Sequence, residues 1–290
     1  MSLKLTYTSS GGTVEMTGGA ELPASGVPQL RIKEITGLGL AETECRTVSY
    51  AGCDGQETVS KRALPRSITI SADICAASAA AELRKTVAAL CEPGWLLIED
   101  GEMRRRIYCN HTELPDAELI LRGRIAAFAV QFVCDSPFFE DADEISAALY
   151  TRSRELSTSF TLPRMFGKIT TGATLNIKSR RSVEPVIRIY TPVSTTGAET
   201  VTITNTTTGK YIKLTTALTA GDVITIDIKQ RTVTSAKSGN IVHKLSDETA
   251  LGDFWLEGGT NRITAAVGSV SSQVTAECLY SSLYNEAMIL

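Results

Sequence analysis

Apolar and polar positions alternate at period two along most of the chain. Between Phe128 and Phe139 the run Phe-Ala-Val-Gln-Phe-Val-Cys-Asp-Ser-Pro-Phe-Phe puts Phe128, Val130, Phe132 and Cys134 on one side. Ala129, Gln131, Val133 and Asp135 take the other, which predicts a strand with one strongly apolar face. Asp135-Ser136-Pro137 stops it, because proline has no N–H and drives the preceding residue to extended or turn geometry. The same alternation appears at Leu3-Leu5-Tyr7, and returns at Val14 and Met16 after the turn Ser9-Ser10-Gly11-Gly12. It recurs at Leu30 to Ile35, at about Thr43 to Val48, and at Ser67 to Ser71. Trp95 to Ile98 and Arg106 to Cys109 flank Glu99-Asp100-Gly101-Glu102, a hairpin whose Asp-Gly pair tolerates positive φ. Leu119 to Leu121 and Ile125 to Cys134 complete the set.

One segment has a different period. Ala76, Ala80, Leu83, Val87 and Leu90 recur at spacings of four and three, Ser78 is placed to cap, and Pro93-Gly94 ends the run. The first 139 residues therefore predict a mainly antiparallel sheet carrying one helix. Thr17 to Pro28, rich in Gly and Pro, reads as a loop, and Ser49 to Thr58 is too long for a hairpin turn and reads as a loop that contacts a partner or is disordered.

The texture changes after the acidic run Glu140-Asp141-Ala142-Asp143-Glu144. From Ala173 onward short alternating segments dominate, among them Leu175 to Ile177, Val186 to Tyr190, Val201 to Ile203, Tyr211 to Leu214 and Val223 to Ile226. Thr232 to Thr234, Ile241-Val242, Phe254 to Leu256, Arg262-Ile263 and Val274 to Tyr280 follow. Many short threonine-rich strands without helical period predict a β-sandwich or jelly roll. The expected division is 1–139, a connecting arm over 140–172, and 173–290, which gives domains of ordinary size, about 100–150 residues. The fold class is mainly β, an antiparallel domain with one α-helix followed by a β-sandwich.

Composition narrows the function. The chain is 43% hydrophobic and 21% charged, with a formal net charge of -3, a balance that argues against a nucleic-acid-binding surface spread over the molecule. No apolar run reaches the ~18–20 residues of a membrane span, and the first residues lack the apolar centre of a signal peptide. Synthesis in a cytoplasm is expected. The seven cysteines form no Cys-x-x-Cys pair, so no metal or redox motif and no disulfide framework is expected, and the thiols are expected to be buried. His111 and His243, the only histidines, lie in different domains, which leaves a zinc site or catalytic triad little to work with. No Gly-x-Ser-x-Gly elbow and no phosphate-binding glycine loop is present, so no cofactor and no catalytic residue is expected. Asn110 and Asn205 open glycosylation sequons that mean little without a signal peptide.

A resemblance rests on motifs in order. In the first half they are Ile35-Thr-Gly37-Leu-Gly39-Leu40, Asp54-Gly55, Pro65-Arg66-Ser-Ile68-Thr-Ile70, the single helix, and the closing Cys-Asp-Ser-Pro-Phe-Phe. In the second they are Asn205-Thr-Thr-Thr-Gly209, Gly221-Asp222 to Asp227 with Arg231-Thr-Val233, and Phe254-Trp-Leu256-Glu-Gly-Gly-Thr-Asn261-Arg-Ile263. With these the chain resembles the distal tail proteins of long-tailed bacteriophages, prophages and tail-like particles. The resemblance implies a tail-tube-like first domain that forms a hexameric ring at the distal end of the tail tube. It also implies a galectin-like outward sandwich. The implied location is the virion, at the tail tip or baseplate. Implied partners are further copies of itself, the tail tube protein, the tip hub and receptor-binding or baseplate proteins, with DNA only as passing cargo.

Candidate residues follow from both arguments. For an interface they are Tyr50 and Asp54 in the contact loop, the cationic run Arg104-Arg105-Arg106, which can pair with Glu140 to Glu144, and Phe138 and Phe139, which can also plug the space between the domains. Exposed ion pairs contribute only ~0–1 kcal/mol, so the arginines read equally as a solvated strand. Trp255 with Tyr211 or Tyr190 can form a sugar-stacking platform, the alternative function being a carbohydrate-binding adhesin module; packing of the indole on the sandwich edge competes with it. Asp222 and Asp227 fit turn positions better than a calcium site or an acid/base pair. A glycosidase would need two carboxylates facing each other across a cleft, and no such pair can be nominated from spacing.

Overall fold

The structure is a computed structural model that describes residues 3–18, 29–76, 78–114, 117–120, 124–152, 169–195, 197–268 and 273–287. Most of the expected loop from Thr17 to Pro28, residues 153–168 of the expected arm, and Leu121 lie outside the described residues. Two compact units result: Met1–Ala142 with Tyr284–Leu290, and Asp143–Leu283.

The first unit contains β1 (Lys4–Ser9), β2 (Gly12–Gly18), β3 (Gln29–Thr36), β4 (Thr43–Val48), β5 (Glu57–Ala63), β6 (Arg66–Cys75), α1 (Ala79–Leu90), β7 (Gly94–Asp100), β8 (Met103–Cys109), β9 (His111–Glu113), β10 (Glu118–Ile120), β11 (Ile125–Cys134) and β12 (Phe139–Asp141). The longest ladder joins β6 to β11, in register from Ile125 opposite Cys75 to Cys134 opposite Arg66. Both strands bury every second residue, as their period-two pattern predicts, and Phe128, Val130, Phe132 and Cys134 all point inward. The sheet then runs through β3, β2, β1, β7 and β8, antiparallel except for a short parallel contact between β2 and β3.

The sheet is rolled. β8 and β9 are consecutive, β8 pairs β7 and β9 pairs β11, so one chain segment bent at Asn110 joins both ends of the ladder. Asn110 N–H donates to Val133 O at 2.9 Å across this seam. Inside lie Leu5, Tyr7, Met16, Ile68, Ile70, Ile74, Leu96 and Phe132, all fully buried. The Tyr7 ring meets Phe132 at 4.9 Å between centroids and its hydroxyl donates to Glu92 O at 2.5 Å. Burial pushes that phenol well above its ordinary value. Helix α1 packs on β1, β2, β6 and β11 through Ala79, Ala89 and Leu90. Ser78 occupies the N-cap position but makes no side-chain cap bond; its carbonyl accepts from Ala81 and Glu82 N–H instead.

The second unit is a two-sheet sandwich. Its strands are β13 (Ile145–Arg152), β14 (Ile169–Thr170), β15 (Gly172–Ile177), β16 (Val186–Tyr190), β17 (Ala198–Asn205), β18 (Lys210–Ala217), β19 (Val223–Asp227), β20 (Thr232–Ser235), β21 (Gly239–Asn240), β22 (Gly259–Val267) and β23 (Thr275–Tyr280). One sheet has the order β14-β13-β23-β16-β19-β20-β21 and the other β15-β22-β17-β18. Their inner faces share one apolar core that includes Ile187, Ile189, Ile203, Ile212, Leu214, Ile226, Ile263 and Ala276. Leu149 and Tyr150, read from sequence as part of the connecting arm, are buried on β13 within this core. The chain then ends in β24 (Leu283–Tyr284), which pairs with β12 at the end of the first sheet.

Three expectations are corrected. Phe254 to Leu256 is not a strand: Leu256 makes an isolated bridge with Val183, and a short 3-10 turn at Leu251–Asp253 precedes it. Ile241-Val242 likewise leads into a 3-10 turn at Val242–Lys244. Only Cys109, Cys134 and Cys278 are buried, since Cys45 and Cys53 sit on an exposed hairpin and Cys91 at the exposed end of α1.

Candidate functional site

The loop expected from Ser49 to Thr58 is instead the tip of a hairpin. β4 and β5 pair from Thr43 opposite Ala63 to Val48 opposite Glu57, with a bulge after Arg46, and residues 49–56 connect them. Gly52 and Gly55 hold φ of 83° and 94°, values that let the long connection fold back where a β-branched residue would resist. Every residue from Glu42 to Arg62 is exposed, and among the described residues the two strands pair with no other strand. Leu40 is 77% exposed, Val59 61% and Tyr50 59%. The Tyr50 hydroxyl donates to the Glu57 carboxylate at 3.5 Å, and Asp54 sits exposed at the tip. An isolated two-stranded hairpin is at best marginally stable in water, and among the described residues nothing covers the apolar surface of Tyr50 and Val59.

The base of the arm is fixed by Arg66. This guanidinium is almost fully buried, 4% exposed, and its donors reach four carbonyls: Gly37, Gly39, Pro137 and Asn285. It also lies 4.5 Å over the Phe139 ring. Burial lowers its pKa, yet an arginine remains protonated in a protein, so the cation is held by carbonyl dipoles. Gly37 is required here: its φ is 90°, and a Cβ would stand 2.2 Å from the Ser67 carbonyl oxygen. The hairpin base, the exit from β11 and the C-terminal segment thus meet on one side chain.

The cationic run is spread over two faces of β8. Arg104 Nε pairs with Glu99 at 2.9 Å, and Arg106 reaches Glu140 at 3.7 Å while lying 4.4 Å over Trp95. Arg105 points the other way, stacked 3.9 Å over Tyr284 and donating to the Glu286 carbonyl. The pairing of this run with the acidic segment is therefore made within the chain. Trp95 and Tyr108 meet edge to face at 5.2 Å, and Tyr108 is 41% exposed. Phe139 is fully buried in the first unit's core, whereas Phe138 is half-buried.

In the sandwich, Trp255 and Tyr211 do not stack on one another among the described residues. Phe254 and Leu256 are buried and Trp255 is half-buried between them. The Tyr211 hydroxyl donates to Glu248 at 2.8 Å, a bond that raises its pKa, and Tyr190 is on the opposite sheet. The motif residues nearby have structural partners. Asn205 and Asn261 are fully buried; Asn205 Nδ2 donates to Trp255 O at 2.9 Å, and Asn261 accepts from Glu257 N and donates to Glu257 O. Asp222 accepts from Ser235 Oγ at 2.6 Å and from Lys237 N, while Asp227 accepts from Gln230 N, so both carboxylates are committed to turns. Among the described residues no group of three or more potential metal ligands occurs, and no helix is long and apolar enough to cross a membrane.

The model of the siphovirus-type tail component, C-terminal domain, matches residues 178–281. Over those residues the second unit is similar to a siphovirus-type tail-component domain. None of the curated proteins is similar enough to count as a relative. Among solved structures the chain is similar to the Dit protein of phage SPP1, with 13% identity over 88% of this chain and 93% of that one and a TM-score of 0.60. That protein is described as a paradigm of the hub adsorption apparatus in phages infecting Gram-positive bacteria. A chain of the phage P2 baseplate in its activated conformation with calcium covers 97% of this chain and 98% of its own length, at 11% identity and a TM-score of 0.52. At such identities the likeness concerns the fold, and it extends beyond the tail-component domain to the rolled sheet. The resemblance to distal tail proteins, drawn from the order of motifs, holds.

Proposed function

We propose that this protein is a structural component of a phage tail tip, assembling into a ring at the distal end of the tail tube and joining the tube to the baseplate or hub. The tail-component domain gives the setting, and the exposed hairpin β4–β5 carries the reading. A closed ring of identical subunits uses heterologous contacts, in which each copy offers two different surfaces. The hairpin, with Leu40, Val59 and Tyr50 bare, supplies one of them. Trp95, Tyr108 and Arg106 on the outside of β7 and β8 have the composition of the other, since aromatic residues and arginine dominate interface energetics. A sixfold ring is the stoichiometry that the resemblance implies. The sandwich then carries receptor-binding or baseplate components, and the protein performs no catalysis.

The test is mass across a concentration series, followed by negative-stain imaging of the largest species. Rings with a central hole are expected. A monomer at every concentration, both alone and after mixing with its own tail tube and hub proteins, would refute ring assembly.

A further inference from the structure

We propose that Cys109 and Cys134 form a latent disulfide pair, a covalent modification site at the seam where the first sheet closes on itself. Both residues are fully buried, and their sulfurs lie 3.5 Å apart with the Cys134 thiol directed at Cys109. Cys109 is the last residue of β8 and Cys134 the last of β11, the two strands that the bend at Asn110 brings together. The backbone bond from Asn110 N–H to Val133 O, 2.9 Å long, holds the two strand ends side by side. A disulfide has its sulfurs about 2.05 Å apart, so side-chain rotation has to close a gap of about 1.5 Å. Cys45, Cys53 and Cys91 are exposed, Cys75 is half-buried, and Cys278 belongs to the second unit's core. The geometry therefore selects one partner for each sulfur.

The pair stays reduced while the seam is shut. The hydrogen bond with Cys134, and after it burial, pushes the Cys109 thiol far up, and the thiolate is the nucleophile of disulfide exchange. Opening of the seam lets one cysteine lose its proton to water and attack a sulfur of glutathione disulfide. That S–S bond breaks, one glutathione thiolate leaves, and the chain carries a mixed disulfide. The second cysteine, deprotonated in turn, attacks the protein-side sulfur and releases the second glutathione thiolate. The pair has lost two electrons and two protons, and glutathione disulfide has become two glutathione thiols. The product ties β8 to β11 by a covalent bond.

The full chain carrying Cys45→Ser, Cys53→Ser and Cys91→Ser, which removes the exposed thiols, is treated in two arms. In one it is held folded in a mixture of reduced and oxidised glutathione below its unfolding temperature; in the other it is refolded from guanidinium in the same mixture. After acid quenching, alkylation and digestion, mass spectrometry is expected to find the Cys109 and Cys134 peptides linked and lighter by two hydrogens in at least one arm. The linked protein is expected to unfold at higher guanidinium concentration than the reduced one. Alkylated free thiols or separate glutathione adducts at both positions in both arms, or links to Cys75 or Cys278 instead, would overturn the proposal.

Discussion

At the scale of single residues, stability rests on a few buried polar groups. Arg66 satisfies carbonyls from four places in the chain, so Arg66→Met strands them in an apolar setting. Leaving buried acceptors unpaired costs about 1–3 kcal/mol each, and with partial relaxation a loss on the order of 3 kcal/mol is expected by denaturant unfolding. Arg66→Lys keeps the charge but not the planar fork, and is expected to recover only part of that loss. A second residue gives the pH dependence. Burial pushes the Cys278 thiol from 9.0 up to about 12. Its folded-state pKa is raised, so its contribution is complete below pH 9, where both states are protonated, and is lost as pH climbs towards 12 and the unfolded chain alone ionises. Cys278→Ala is expected to flatten that alkaline fall in the unfolding midpoint. Arg66 was legible in sequence only as a motif residue. Its partners lie up to 219 positions away, and no local pattern encodes such a convergence.

At the scale of elements, period two was a reliable guide wherever one face of a strand is buried. β6 and β11 follow it from end to end, and the helix over Ala79–Leu90 follows its own period. The rule failed on β5, whose sequence Glu-Thr-Val-Ser-Lys-Arg-Ala has no apolar face because both faces are exposed. It failed again at Phe254 to Leu256, where two buried side chains are held by Asn205 and a lone bridge without a ladder. The bare hairpin yields a prediction that separates assembly from folding. Leu40→Lys with Val59→Lys changes solvated positions, so unfolding is expected to shift by no more than about 0.5 kcal/mol. On the proposed ring assembly, the same double variant is expected to remain monomeric in sedimentation at concentrations where the parent associates.

At the scale of the whole molecule, there are two hydrophobic cores, and the chain visits the first twice. Residues 284–287 return to the first unit: Tyr284 donates to Asp141 at 3.0 Å, Ala287 N–H donates to Leu38 O at 2.9 Å, and Arg66 and Arg105 take the carbonyls of Asn285 and Glu286. Ending the chain at Leu283 removes these partners and takes the Asn285 carbonyl from Arg66 and the Glu286 carbonyl from Arg105. The first unit is expected to lose on the order of 2–4 kcal/mol, read as a lower calorimetric transition, while the transition of the sandwich moves little. Nothing in the last residues, Asn-Glu-Ala-Met-Ile-Leu, announces this role, because carbonyl acceptors are common to every residue type.

That return has a consequence for synthesis. A ribosome makes residues 1–142 first, yet the segment that completes their sheet emerges only after all of 143–283 has been translated. The sandwich therefore reaches its final fold before the rolled sheet can. A chain cut short by early termination would hold a folded sandwich and a first unit whose β12 lacks its partner β24.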